Sequence, residues 1–384
     1  MALIAQLKPQ SRSADLLNSL DKLTGLPDNL EPNTVLLYPL ILDDRLELIL
    51  TTPDSPPVRR TVQVSKEQLN QTIQAFRKAL KQTNLDAKKP AQELYQWLIK
   101  PIEEDLKLVG AKTIIYAPDG QLRYVPLAAL YDGKQWLIEK YGVNNITAVS
   151  LTDFNTKPQS QIHILAGAFV QGTHTPTVGG KKFNFVGLPF AGIEVANLAQ
   201  TFSATTIRQD KDFNLQLVPQ MDSFSVVHLA THGAFVVGTP EQSFILFGDG
   251  TPVTLEAMKK WQFKNLDLIV LSACETGLDG NFGSGVEILG LGYRLQTAGA
   301  RAVIASLWAV NDGGTQALMN AFYSALKKDK ITKTEALRQA QIAMINSDRP
   351  ANPSQRASIE IIQDGVPPES SESSFLLGSV YRHW

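Results

Sequence analysis

The sequence holds a single cysteine in 384 residues. An internal disulfide is therefore impossible, and a reducing compartment is the expectation. Charge of either sign is not in excess: 36 Lys and Arg stand against 37 Asp and Glu, for a net charge of -1. That balance supplies no bulk attraction to nucleic acid or to an anionic membrane. No apolar run approaches the roughly 18 residues that a membrane helix needs. The opening MALIAQLKPQSRS has too short an apolar stretch for a signal peptide. No repeat of 20–50 residues recurs, at roughly the period that marks a solenoid. These absences lead to a cytoplasmic protein with no nucleic-acid and no membrane partner.

What is present supports a folded chain. Hydrophobic residues make up 43% and charged residues 19%, enough apolar surface for a core. The length implies two or three units at roughly 150 residues each. Near the start, DLLNSLDKL has helical spacing. TVLLYPLILDDRLELILTTP reads as a hairpin around Asp43 and Asp44, and Pro53, Pro56 and Pro57 mark the turn after it. Ser65 and Gln68 have the spacing of a capping box for a helix over 64–82. A second helix over 90–106 is interrupted by Pro101. AKTIIYAPDGQLRYVPLAALYD holds a strand, a turn and a second extended stretch.

Beyond about residue 158, strands and helices alternate, the pattern of a parallel sheet covered by helices. Strands are expected at QIHILAGAFV, SFSVVHLATHG, LDLIVLSAC and RAVIASLWAV. Helices are expected at 187–202, 283–300, 315–328 and 333–345. FILFGDGTPVTL reads as a hairpin on Gly248, Asp249 and Gly250. GAFVQGTHTPTVGGKK is glycine-rich, lacks the ending of a phosphate-binding loop, and reads as a mobile loop. The stretch 347–373 reads as an irregular loop, and SFLLGSVY as a last strand.

In open parallel sheets, ligands bind beyond the carboxyl ends of the strands. HLATHG brings His232 and Gly233 to one such end, and LSACETG brings Cys274 to another. The two strands are consecutive, so their carboxyl ends can be neighbours. A lone cysteine can be a small buried hydrophobe or a nucleophile served by a histidine. Spacing alone leaves both readings open. Acyl transfer also needs donors for an oxyanion, and the amides of Gly233 and Cys274 are the candidates.

HLATHG, VLSACETG and VIASLWAVND, in this order, resemble the CHAT family (caspase-HetF-associated with tetratricopeptide repeats). Its peptidases resemble caspases and separases. YAPDGQLRYVPLAAL, LPFAGIEVANLA and TVLLYPLILDDRLELILT resemble further family segments, so the likeness spans about residues 30–345. It implies an α/β fold: a caspase-like, parallel-rich sheet flanked by helices, with an N-terminal degenerate caspase-like half. The halves are expected at 1–155 and 156–384, with catalysis in the second. It implies His232 as the catalytic histidine and Cys274 as the nucleophile. LWAVND resembles a separase run in enzymes that cut after arginine. Asp312 is therefore a candidate for pairing a substrate guanidinium, or else a helix cap. Trp308 is a candidate pocket wall or core residue. The family's C-terminal tryptophan strand is replaced here by SSFLLGSVYRHW, and the tetratricopeptide repeats that often precede such domains are absent from these residues.

The neighbours have plainer readings. His228 shares the parity of His232 on its strand and reads as a packed histidine; no third ligand cluster supports a zinc pair. Glu275 either orients His232 or sits on the surface. Ser272 stands where metacaspase-like enzymes that prefer basic residues carry an aspartate. Asp249 and Asp279 read as turn residues. The expectation is thus a cysteine endopeptidase making limited regulatory cuts, after arginine above all. It needs no metal or cofactor, acts on a protein substrate, and has an activating partner or a tetratricopeptide-repeat protein as candidate partners. A catalytically silent scaffold and a small-substrate amidase are the rival readings.

Overall fold

The computed structural model describes residues 33–52, 55–82, 84–146, 161–234, 242–276, 286–305, 312–328, 331–347 and 381–382, with the backbone alone at 273–276, 286–290, 312 and 381–382. The chain divides into two units, Met1–Thr156 with His383–Trp384, and Lys157–Arg382.

The first unit is a five-stranded sheet. Its elements in chain order are β1 (Thr34–Ile41), β2 (Leu46–Thr52), β3 (Ser55–Val62), α1 (Lys66–Lys81), α2 (Lys88–Leu98), α3 (Glu103–Leu108), β4 (Thr113–Tyr116), α4 (Leu137–Lys140) and β5 (Gly142–Asn145). The strand order is β3-β2-β1-β4-β5. The β1–β2 hairpin turns as its sequence predicts, and β4 and β5 run parallel to β1. Ser65 caps α1, its Oγ accepting from the amide of Gln68 at 3.1 Å. Glu47 is buried on β2 and is gripped by Arg59, Arg45 and Thr61. Arg59 above all holds its carboxyl down at about 2.

The second unit is a three-layer α/β sandwich. Its elements are β6 (Ile164–Ala168), β7 (Thr173–His174), β8 (Thr177–Val178), β9 (Lys181–Lys182), β10 (Phe185–Val186), α5 (Pro189–Thr201), β11 (Thr205–Gln209), β12 (Val226–Ala234), β13 (Phe244–Leu246), β14 (Pro252–Thr254), α6 (Leu255–Met258), β15 (Leu268–Thr276), α7 (Val286–Thr297), β16 (Val303–Ala305), α8 (Asp312–Leu326), α9 (Lys333–Ser347) and β17 (Tyr381–Arg382). The main sheet runs β11-β6-β12-β15-β16-β17. All neighbours are parallel except the last pair.

Continuous apolar runs make this sheet, because parallel strands are buried on both faces. One face packs Ile164, Ala166, Val226, Ala230, Leu268 and Val270 against the helices that carry Val195, Phe322 and Leu337. The other packs Leu165, Val227, Leu229, Ile269 and Leu271 against Phe213, Phe247, Trp261 and Leu295. Strand order reverses between β6 and β12, and such a switch opens a crevice at the carboxyl ends.

The structure departs from the sequence reading at three places. The stretch after the Pro118-Asp119-Gly120 turn is two 3-10 turns, Gly120–Tyr124 and Leu127–Ala129, not an extended segment. Gly120 turns the chain at φ 51, and Pro126 offers no ladder donor. Pro56 and Pro57 lie inside β3, which an edge strand tolerates because its outer amides need no partner. The glycine-rich segment after β6 is a β-ribbon, with β7 paired to β10 and β8 to β9. The expected last strand SFLLGSVY lies outside the described residues but for Tyr381, which with Arg382 forms β17. Helix DLLNSLDKL and the stretch 347–373, but for its first residue, lie outside the described residues.

Gly299 closes α7. It sits at φ +107, and the amides of Gly299 and Ala300 bond back to Gln296 and Leu295 in a Schellman arrangement. A Cβ there would lie 1.9 Å from the Phe263 carbonyl oxygen. Gly172 has a φ of +93 with nothing within 4 Å of such a Cβ. Gly299→Ala therefore costs well over ~1 kcal/mol, and Gly172→Ala only its backbone strain. Urea midpoints of the two variants check this; equal losses would refute the steric account.

Candidate active site

β12 and β15 pair in parallel from Val226↔Leu268 through Ala234↔Thr276, with no slip. His232 stands directly opposite Cys274 in this ladder. Paired residues of neighbouring strands are about 4.8 Å apart and share a face. The crossover between the strands carries the β13–β14 hairpin, which the sequence predicts, and α6. Gly233 is buried, facing Ile245 of β13 on one side and Glu275 of β15 on the other. Asp312 opens α8. Trp308 and Asp279 lie outside the described residues.

The His232 ring is half-buried in an aromatic nest. It stacks on Phe185 with centroids 4.9 Å apart and meets Phe169 edge-on at 6.0 Å. Phe169 and Phe185 belong in turn to an apolar cluster with Val178, Phe244 and Leu246, against which Phe183 packs. Its Nε2 lies 2.7 Å from the Val186 carbonyl oxygen. A carbonyl only accepts, so Nε2 carries the proton and donates it there. In the neutral ring Nδ1 is then the lone-pair nitrogen. Nδ1 is buried and has no hydrogen-bond partner among the described residues. Burial lowers the imidazole pKa from 6.5, and the Val186 carbonyl offsets only part of that. The ring is thus neutral at pH 7, with one basic nitrogen open and its tautomer fixed.

Glu275, which by its sequence either orients His232 or sits on the surface, pairs with Gly233 along the backbone, and its side chain lies outside the described residues. The group seen to hold the His232 ring is the Val186 carbonyl. A backbone carbonyl leaves no side-chain signature, and the ribbon that carries it reads as a loop. The alternating Phe183 and Phe185 were the available signal.

His228 is fully buried on the same face of β12, four residues before His232. Its Nδ1 lies 3.0 Å from the Tyr323 hydroxyl and its Nε2 2.7 Å from Glu194 Oε1. This is the packed histidine expected from the sequence, now with named partners. Ser272 is buried. Asp249 is the turn residue it resembled, accepting from the Thr251 amide. Among the described residues no group of three His, Cys, Asp or Glu is placed to hold a metal, and no helix is long and apolar enough to cross a membrane.

The CHAT domain family model matches residues 88–366. The chain belongs to the CHAT domain family. No match was found among curated proteins. The Saccharomyces cerevisiae separase in its complex with securin shares the fold, with a TM-score of 0.54 at 9% identity, over 96% of this chain and 30% of that one. The Arg-specific cysteine proteinase gingipain R aligns at TM-score 0.45 and 11% identity, over 83% of this chain and 74% of that one. The Porphyromonas gingivalis RgpB pro- and mature domain complex aligns at TM-score 0.41 and 9% identity, over 83% and 75%. The CHAT chain thus has the caspase-like α/β fold expected of its motifs.

If burial sets the His232 pKa, opening the nest raises it. In a Cys274→Ala background, which removes coupling to the thiol, His232 titrates below pH 6.5 by NMR. Adding Phe185→Ala moves that midpoint upward, towards 6.5. An unchanged or lower midpoint would refute desolvation as the cause.

Proposed function

We propose that this protein is a cysteine endopeptidase with a His232–Cys274 dyad. The observation that supports it most is the in-register pairing of His232 with Cys274, together with the fixed tautomer that leaves Nδ1 basic. His232 Nδ1 takes the thiol proton, and the sulfur attacks a peptide carbonyl carbon. The amides of Gly233 and Cys274 receive the oxyanion. The imidazolium then gives its proton to the departing amine, leaving a thioester on Cys274. Water, deprotonated by the same nitrogen, hydrolyses the thioester and restores the thiol.

Asp312 is assigned to substrate recognition, pairing with an arginine on the acyl side of the cut bond, with Trp308 as pocket wall. Residues 1–155 are assigned to a degenerate caspase-like half and 156–384 to the catalytic half. Residues 1–156 contain neither histidine nor cysteine, so that unit has no dyad of its own. Protein substrates, limited regulatory cleavage and a cytoplasmic location belong to the same reading. So does an activating partner or a tetratricopeptide-repeat protein.

A proteome-derived peptide library with sequencing of new termini tests this. Wild-type protein cuts after arginine. Cys274→Ala lowers the rate about a thousandfold or more, and Asp312→Ala lowers cleavage after arginine roughly a hundredfold. Cleavage that persists in Cys274→Ala would refute the dyad. No cleavage at all would favour a silent scaffold.

A further inference from the structure

We infer that Asp210 is a positioning residue for His232, acting through the ribbon and touching no substrate. The inference rests on the dyad reading above. Asp210 follows β11 and is one of two described non-glycine residues with positive φ, at 49°. A Cβ makes that conformation unfavourable, though aspartate tolerates it better than most. Such an outlier persists where surrounding contacts demand it.

Three contacts do so. Asp210 Oδ1 accepts from the amides of Val170 and Gln171, at 2.7 and 3.0 Å. The Asp210 carbonyl oxygen lies 2.5 Å from where a Cβ of Gly248 would stand. The Gly248 carbonyl in turn lies 3.0 Å from Nε2 of His174, on β7. Asp210 thus ties the ends of β11 and β6, the latter leading into the ribbon, to the β13–β14 turn.

The grip reaches His232 in two steps. The Val170–Gln171 peptide is pressed against Gly187: a Cβ there would be 2.4 Å from the Val170 oxygen and 2.5 Å from the Gln171 nitrogen. The Gly187 and Leu188 amides also bond back to Gly172 and Phe169, each at 2.9 Å. Gly187 directly follows Val186, whose carbonyl fixes the His232 tautomer. The peptide that Asp210 holds is therefore the one that seats Val186. A two-residue strand such as β10 has little pairing energy of its own to hold that carbonyl in place.

Three variants separate acceptor, strain and charge. Asp210→Gly removes the acceptor while relieving the backbone. Asp210→Asn keeps an oxygen at the same position. Asp212→Ala controls for lost charge nearby. The readouts are the ¹⁵N shifts of the His232 ring, thermal unfolding, and the rate of iodoacetamide alkylation of Cys274 at pH 7. In Asp210→Gly we expect unchanged unfolding, His232 sharing its proton between both nitrogens, and alkylation about twofold slower, as Nδ1 is then free in about half the molecules. Asp210→Asn and Asp212→Ala keep wild-type values. Gly187→Ala, which displaces the same peptide from its other side, reproduces the glycine variant's two losses. A fixed wild-type tautomer in Asp210→Gly would overturn the inference, as would a wild-type protein whose ring is already mixed. A fixed tautomer that Asp210→Gly releases, in a protein that cuts no peptide, would uphold the anchor and refute the peptidase.

Discussion

The unbroken register of β12 on β15 is the constraint on which the site depends. A slip of one residue would turn every side chain of β12 to the other face. The alternation is locked by burial. Val226 and Ala230 belong to one core, Val227 and Leu229 to the other. Nine successive pairs carry that decision from the middle of the sheet to its carboxyl edge, where the backbone of His232 stands opposite that of Cys274. The backbone placement of the proposed dyad is thus fixed by hydrophobic contacts well removed from any chemistry.

Register places the histidine, but it does not set its proton. That task falls to a backbone carbonyl and an aromatic nest. The Val186 oxygen assigns the proton to Nε2, and burial keeps the ring neutral. Behind it, Glu194, His228 and Tyr323 meet inside an otherwise apolar core, joining α5, β12 and α8. Buried polar groups are costly unless paired; His228 Nδ1 is bonded to the Tyr323 hydroxyl, while its Nε2 lies 2.7 Å from Glu194 Oε1 without the alignment of a hydrogen bond. Burial, and secondarily Glu194, raises the Tyr323 pKa well above its usual value, so its hydroxyl stays neutral beside His228.

Much of this was legible in the sequence. Continuous apolar runs gave the parallel strands, and Gly248 to Gly250 gave a hairpin. Two motifs at strand ends gave a histidine and a cysteine. What was not legible has a physical reason in each case. The ribbon at 173–186 is built of two-residue strands, which leave no alternation beyond Phe183 and Phe185. Its contribution to the site is a carbonyl, which every residue possesses. Pro56 and Pro57 argued against a strand because their tolerance depends on being at a sheet edge, a tertiary fact. The partners of His228 lie on helices 34 and 95 positions away in the chain, and spacing along one strand has no access to them.

The most direct measurement is a crystal structure with a peptidyl-arginine aldehyde. The account predicts a covalent bond from the Cys274 sulfur to the aldehyde carbon. The former carbonyl oxygen would lie between the amides of Gly233 and Cys274, with His232 Nδ1 facing the sulfur and Nε2 still on Val186. An aldehyde bound elsewhere, or His232 turned so that Nδ1 faces away from Cys274, would contradict it.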